Sequence, residues 1–253
     1  MITAEGITGD PNAPVVRRRD VLGMPAVLAG GLVLPIGRPA EPTRTGTSTP
    51  ARLSPTQAKA PVTPPEDLML EHGVLKRVLL VYREAIRRID SGGQTPTEAV
   101  HAGAGIIRDF IENYHEHLEE RYVFPRLFRA HQLTGTVIAL LEQHQRGRVL
   151  TGRILDATGA SKTLDTRSRH DLVTNLAAFI RMYEPHEAQE DTVIFPAFRD
   201  VVPAKEFLQL GEVFQDEGHR RFGTSGFAGI VNQVAEIEKT LGIHDLAQFT
   251  PQV

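Results

Sequence analysis

The chain has 253 residues, 23% of them charged and 41% apolar, with a formal net charge of −3 and no cysteine. That length supports one core of moderate size or two small ones. Zero cysteine excludes disulfides, thiolate zinc sites, iron–sulfur clusters and a lipoprotein anchor, and a near-balanced charge without a basic stripe speaks against nucleic acid, so any metal must take nitrogen and oxygen ligands.

Residues 1–65 differ in composition from the rest. Arg17, Arg18 and Arg19 precede Asp20-Val21-Leu22, and Val21–Ile36 is an apolar run broken by Gly and Pro, too short to span a bilayer comfortably. Charge block, apolar block and polar spacer follow in signal-peptide order, predicted over 1–40. Arg18-Arg19-Asp20-Val21-Leu22 resembles the twin-arginine export motif, with Val21 where that motif usually has Phe. The resemblance implies that the chain is exported already folded to a periplasmic or extracytoplasmic location in a bacterium, leaving no stable membrane span after processing. Residues 41–65, rich in Pro, Thr, Ser and Ala, read as a flexible spacer. Without residues 1–65 the chain keeps 21 Lys+Arg and 27 Asp+Glu, a net charge of −6.

From Glu66 onward the apolar period is helical, which predicts an all-α body. A first helix, about 66–90, places Leu68, His72, Leu75, Leu79, Tyr82, Ile86 and Ile89 on one stripe between Pro64-Pro65 and Gly92-Gly93. A second runs from Thr97 to about Phe128 with Val100, Ile107, Ile111, His115, Leu118 and Tyr122. A third, about 133–157, carries Leu133, Val137, Leu140, His144, Thr151 and Ile154. The fourth, about 167–199, carries Leu172, Leu176, Phe179, Tyr183, His186, Glu190 and Val193. Short loops favour an up-down antiparallel four-helix bundle over 66–200. An additional C-terminal helical extension, 201–253, follows Pro203 and is interrupted at Gly218 and Gly223.

The informative residues are those that break the apolar stripes. Each of the first four helices holds a histidine at a core-facing position: His72, His115, His144 and His186. Glu119 and Glu190 follow two of them by four residues, a step that turns the helix by only about 40° and keeps both side chains on one face. Two buried carboxylates beside four histidines would cost several kcal/mol per uncompensated charge, and a metal ion removes that cost.

Helices two and four also repeat one another. His115-Glu116-His117-Leu118-Glu119-Glu120-Arg121-Tyr122-Val123-Phe124-Pro125 aligns without a gap on His186-Glu187-Ala188-Gln189-Glu190-Asp191-Thr192-Val193-Ile194-Phe195-Pro196, each pair 71 positions apart. Shared are His-Glu-x-x-Glu, a following acid and Phe-Pro, whose proline is expected to end or kink each helix just past its ligands.

This pattern resembles the hemerythrin-like (HHE) cation-binding four-helix domain over about residues 66–200. The resemblance implies a non-haem di-iron centre inside the bundle, with motif carboxylates bridging two iron ions. Carried over residue by residue, the metal ligands are His72, His115, Glu119, His144, His186 and Glu190. Oxygen-carrying members have a second helix-three histidine four residues from the first, whereas His144 has Leu140 and Arg148 at that spacing. Those members also use an Asp five residues after the helix-four histidine, where Asp191 stands, but Glu190 lies on the apolar stripe and matches the repeat. Glu116 and Glu187 are candidates for the missing donor. A site richer in carboxylate favours ferric iron and reaction with an oxidant over reversible oxygen carriage.

Two functions fit this centre. One binds or reduces a small oxidant such as oxygen, peroxide or nitric oxide, as a peroxidase- or catalase-like oxidoreductase would; the other stores or senses iron without turnover. A ferritin-like oxidase needs Glu-x-x-His on two helices; Glu112 and His115 supply it once, and Tyr183 replaces the second Glu. A haem bundle leaves Glu119 and Glu190 unexplained, and a zinc hydrolase lacks His-Glu-x-x-His. His117 is expected to face solvent, His101, His131, His170 and His244 fall off the ligand stripes, and Glu217 with His219 is read as a solvated polar turn.

Overall fold

The computed structural model describes residues 62–159 and 164–253. The predicted signal segment, 1–40, and the predicted linker up to residue 61 lie outside the described residues. The body is all-helical, with no strand among the described residues, and no helix there is long and apolar enough to cross a membrane.

Helix α1 spans Pro64–Asp90. Pro64 and Pro65, read above as preceding the helix, form its first turn. Proline suits that place because the first N–H groups of a helix have no internal acceptor. Glu66 completes the start by accepting from Thr63 N and Thr63 Oγ1, both at 2.8 Å. Helix α2 runs unbroken through Thr97–Ile106, Ile107–His115, Glu116–Leu118, Glu119–Val123 and Phe124–Arg129. Helix α3 spans Thr134–Thr158, and α4 runs through Thr166–Gln189, Glu190–Ile194 and Phe195–Val201. Asp165 caps α4 by accepting from Ser168 N at 2.7 Å.

The expected stop at Phe-Pro does not occur; both helices continue past Pro125 and Pro196. Each proline would press on the carbonyl four residues back, Arg121 or Thr192. Both carbonyls lie in wide π-type turns, Glu119–Val123 and Glu190–Ile194, which give the ring room. These turns also carry the two motif glutamates.

Helices α1, α2, α3 and α4 close a ring in which each packs on two neighbours: α1 on α2, α2 on α3, α3 on α4, and α4 on α1. The C-terminal extension is two helices, α5 (Ala204–Phe222) and α6 (Gly226–Leu241). The break falls at Gly223, whose φ of +64° suits glycine, while α5 passes through Gly218 without interruption. Gly218 serves packing instead: a Cβ there would meet Tyr114 Oη at 2.8 Å. Helix α6 buries Ile230, Val234 and Ile237 against α1 and α2, and its Glu238 accepts from Arg77 at 2.8 and 2.6 Å.

A second close approach joins α3 to α4. The Tyr183 hydroxyl occupies the space that a Cβ on Gly147 would need, so only glycine admits the phenol. Gly147→Ala must therefore push these helices apart or turn Tyr183 out, at a cost of about 1–3 kcal/mol. Urea unfolding of the variant measures it, and an unchanged midpoint would show that the two helices do not pack there.

Candidate metal centre

Helices α1, α2, α3 and α4 converge on one buried group. Helix α1 brings His72, α2 brings His115 and Glu119, α3 brings His144, and α4 brings His186 and Glu190. None of the six is more than 3% exposed. They form two clusters. In the first, His72, His115, Glu119 and Glu190 offer ligand atoms within 4.8 Å of one another; in the second, His144, His186 and Glu190 do.

All four Nε2 atoms face the carboxylates. Glu119 Oε2 lies 3.6 Å from His115 Nε2 and 3.6 Å from His144 Nε2. Glu190 Oε2 lies 3.4 Å from His72 Nε2, and its Oε1 lies 3.2 Å from His186 Nε2. Each carboxylate thus stands between one histidine of each cluster. Yet both oxygens of Glu119, both of Glu190 and His144 Nε2 make no hydrogen bond among the described residues. Lone pairs facing lone pairs at zero exposure are what a cation resolves.

The other ring nitrogens explain the orientation. His72 Nδ1 is 2.7 Å from Asp191, His115 Nδ1 is 2.8 Å from Glu71, His144 Nδ1 is 2.9 Å from Glu120, and His186 Nδ1 is 2.8 Å from Gln143 Oε1. A proton on each Nδ1 satisfies these acceptors and points the Nε2 lone pair inward, the arrangement of metal-bound histidines. Two phenylalanines fix the rings from the side. Phe195 stacks on His72 at 5.6 Å and Phe124 on His144 at 5.7 Å, so the Phe-Pro repeat closes the centre.

Without a cation the charges cannot all survive burial. Desolvation, with Glu190 as a close second carboxylate, pushes Glu119 well above the usual carboxylate range. Burial also pushes Glu190 upward, but His186 and His72 outweigh it and hold this carboxyl well below that range. Burial disfavours charge on His72, and the nearby carboxylates of Asp191 and Glu190 reverse this, raising it to about 9. His115, desolvated and beside His72, is held well below the usual imidazole range. Desolvation raises Glu71 to about 8. Burial thus favours the neutral form of Glu119, while His186 and His72 favour charge on Glu190, so a cation entering the centre competes with protons.

Of the other predicted ligands, Glu116 and Glu187 do not join the two clusters. Glu116 accepts from the Tyr183 hydroxyl at 2.7 Å and lies 2.8 Å from Arg148, on the Nδ1 side of His144. Glu187 lies 3.8 Å from Lys76. Desolvation raises them to about 8 and about 7 respectively. Asp191, weighed against Glu190, takes His72 Nδ1 while Glu190 turns inward. Sequence reasoning missed Glu71, Glu120 and Gln143 as orienting partners. A signal existed: an acid follows both motif glutamates, and Glu71 and Gln143 each precede a lone histidine. His117, His101, His131, His170 and His244 are exposed. His219 is exposed on α5, and Glu217 accepts from Tyr122 at 2.7 Å, within the helix and not in a turn.

The hemerythrin HHE cation binding domain matches residues 63–198, more than half of the chain and all six central residues. The chain belongs to the hemerythrin HHE cation-binding family. An uncharacterized protein of Mycobacterium bovis and two of Mycobacterium tuberculosis strains are each 52% identical over 251 residues, 98% of this chain and 96% of their own. That likeness runs past both ends of the HHE domain. No solved structure matches significantly. The nitrogen and oxygen donors of the buried group fit the cation that the HHE family is defined by binding.

The protonation pattern separates the two glutamates by the sign of a stability change. Gln mimics the protonated Glu119 of the metal-free centre, so Glu119→Gln should leave chelated protein unchanged or up to about 2 kcal/mol more stable. Glu190→Gln removes the partner of two histidines and should destabilise chelated protein by about 1–3 kcal/mol. Both should lose metal. Thermal unfolding with and without chelator checks this, and equal effects of the two variants in chelator would contradict the assignment.

Proposed function

We propose that this HHE protein holds two non-haem iron ions within an up-down four-helix bundle and binds or reduces a small oxidant, oxygen, peroxide or nitric oxide. The observation that carries the reading is the placement of Glu119 and Glu190, each between one histidine of one cluster and one of the other, with no hydrogen bond to any of their four oxygens. Four histidines and two carboxylates would serve one octahedral ion only if all six converged on a single point, and they fall instead into two clusters that share Glu190. When bound, iron supplies the electron-transfer chemistry that small oxidants require, which the chain's own side chains lack.

The residues divide the work. His72 and His115 would hold one ion and His144 and His186 the other, with Glu119 and Glu190 as the carboxylates whose charge would offset both. Asp191, Glu71, Glu120 and Gln143 hold each ring to one tautomer. Exposure of 3% or less at all six residues limits what reaches the centre to small molecules and excludes bulk water. Tyr183, Phe124 and Phe195, all buried, pack against the rings of His186, His144 and His72.

The test is metal analysis of protein loaded with iron under air, followed by a peroxide-consumption assay. Two iron ions per chain with peroxide loss are expected. One zinc and no iron would overturn the di-iron reading, and two iron ions without peroxide or nitric oxide reactivity would leave an iron-storing or sensing module.

We further propose that residues 1–40 direct export of the folded bundle by the twin-arginine route to a periplasmic or extracytoplasmic location. Support comes from the order Arg18-Arg19-Asp20-Val21-Leu22 ahead of an apolar run, and from a buried metal centre that is best filled before export. Arg18→Lys with Arg19→Lys should hold the protein in the cytoplasm with its helical content intact. Fractionation checks it, and unchanged export would sink the proposal.

A further inference from the structure

The duplication that relates α2 to α4 extends to α1 and α3, and following it residue by residue exposes one charge difference. His115, Glu116, Glu119, Glu120 and Phe124 correspond to His186, Glu187, Glu190, Asp191 and Phe195, 71 positions on. On the other two helices Glu71, His72 and Lys76 correspond to Gln143, His144 and Arg148, 72 positions on.

The contacts obey the same correspondence. The acid after each motif glutamate reaches across to a lone histidine: Asp191 to His72 at 2.7 Å, and Glu120 to His144 at 2.9 Å. A nearby cation faces that acid in both halves, Lys76 at 3.7 Å from Asp191 and Arg148 at 2.8 Å from Glu120. The same cation faces the glutamate after the motif histidine, Lys76 at 3.8 Å from Glu187 and Arg148 at 2.8 Å from Glu116. The residue before each lone histidine reaches back to a motif histidine: Glu71 to His115 at 2.8 Å, and Gln143 to His186 at 2.8 Å. Only in this last pair does a carboxylate correspond to a neutral amide. The His72–His115 position thus has one ionisable carboxyl more behind its histidines than the His144–His186 position, where Gln143 stays neutral.

We propose that Glu71 and Gln143 make the two metal positions unequal, so that the His72–His115 position binds a divalent cation more tightly and fills first. This rests on the two-metal reading above. A carboxylate accepting from Nδ1 makes Nε2 a stronger donor and adds a negative charge behind the ring, whereas an amide only orients it. Losing such a partner weakens metal affinity by about 10–100-fold, so the two positions should differ by at least about tenfold. The burial of Glu71 and His115, 4% and 2% exposed, keeps solvent from erasing the difference. A smaller asymmetry acts the same way: Arg148 lies closer to its carboxylates than Lys76 does, and Tyr183 donates to Glu116 at 2.7 Å.

Anaerobic titration of the metal-depleted full chain with Co(II), followed by visible absorption and calorimetry, tests this. Two steps are expected, the first at least about tenfold tighter. Glu71→Gln should weaken the first step toward the second, and Gln143→Glu should strengthen the second toward the first. His144→Ala should spare the tight step and His72→Ala should abolish it, which locates the position without relying on the isosteric variants. Two equal steps in the unaltered protein would overturn the inference and leave the two-metal reading standing. So would loss of the tight step in His144→Ala with its retention in His72→Ala. A total of one ion per chain would overturn both together.

Discussion

Burying two carboxylates at zero exposure is the constraint around which this molecule is arranged. A carboxylate in that setting costs several kcal/mol unless something positive meets it, and no lysine or arginine lies within ion-pair distance of Glu119 or Glu190 among the described residues. Only histidines approach them, and imidazoles that keep Nε2 bare offer lone pairs rather than protons. In the metal-free protein burial drives Glu119 toward its neutral form, and the Asp191 and Glu190 carboxylates favour charge on His72. Both are costs that a cation cancels, so metal affinity and folding stability draw on the same interaction.

The surroundings of the centre follow from that constraint. Four rings must present one nitrogen each, and each is fixed by an acceptor on its far nitrogen from a neighbouring helix: α4 serves His72, α1 serves His115, α2 serves His144 and α3 serves His186. The orienting bonds therefore run between helices and tie the ring of four together, as the apolar contacts do. The wide turns at Glu119–Val123 and Glu190–Ile194 serve the same arrangement. They let each helix carry a proline directly after a phenylalanine that stacks on a histidine of the next helix.

Outside the ring, α5 and α6 cover α1 and α2 and reach the centre only through partners of partners. Tyr114, next to His115 in sequence, donates to the Phe214 carbonyl of α5 at 3.3 Å, and Gly218 leaves space for its hydroxyl. Glu71 lines a cleft of about 230 Å³ beneath the α5–α6 turn. The extension thus bears on the side of the centre that holds His115, and leaves the Glu116–Arg148–Glu120 side to α2 and α3.

Much of this was legible in one dimension. Helical periodicity fixes which residues face inward, so His72, His115, His144 and His186 on four successive apolar stripes, with Glu119 and Glu190 one turn on, announce a buried polar centre whatever the details of packing. The repeat doubles that signal. Tertiary structure alone decided how the residues combine, because a stripe gives a face but neither a depth nor a partner across the bundle. Glu116 directly follows the motif histidine and is a candidate ligand in sequence, yet Tyr183 and Arg148, both on other helices, draw it to the far nitrogen of His144. The continuation of α2 and α4 past Phe-Pro was equally unreadable: wide turns precede Pro125 and Pro196, while α4 also carries Pro185 inside an ordinary helical stretch. So was the pairing of Glu71 and Gln143 with histidines 44 and 43 residues away, which only the ring of four helices brings to hydrogen-bond distance.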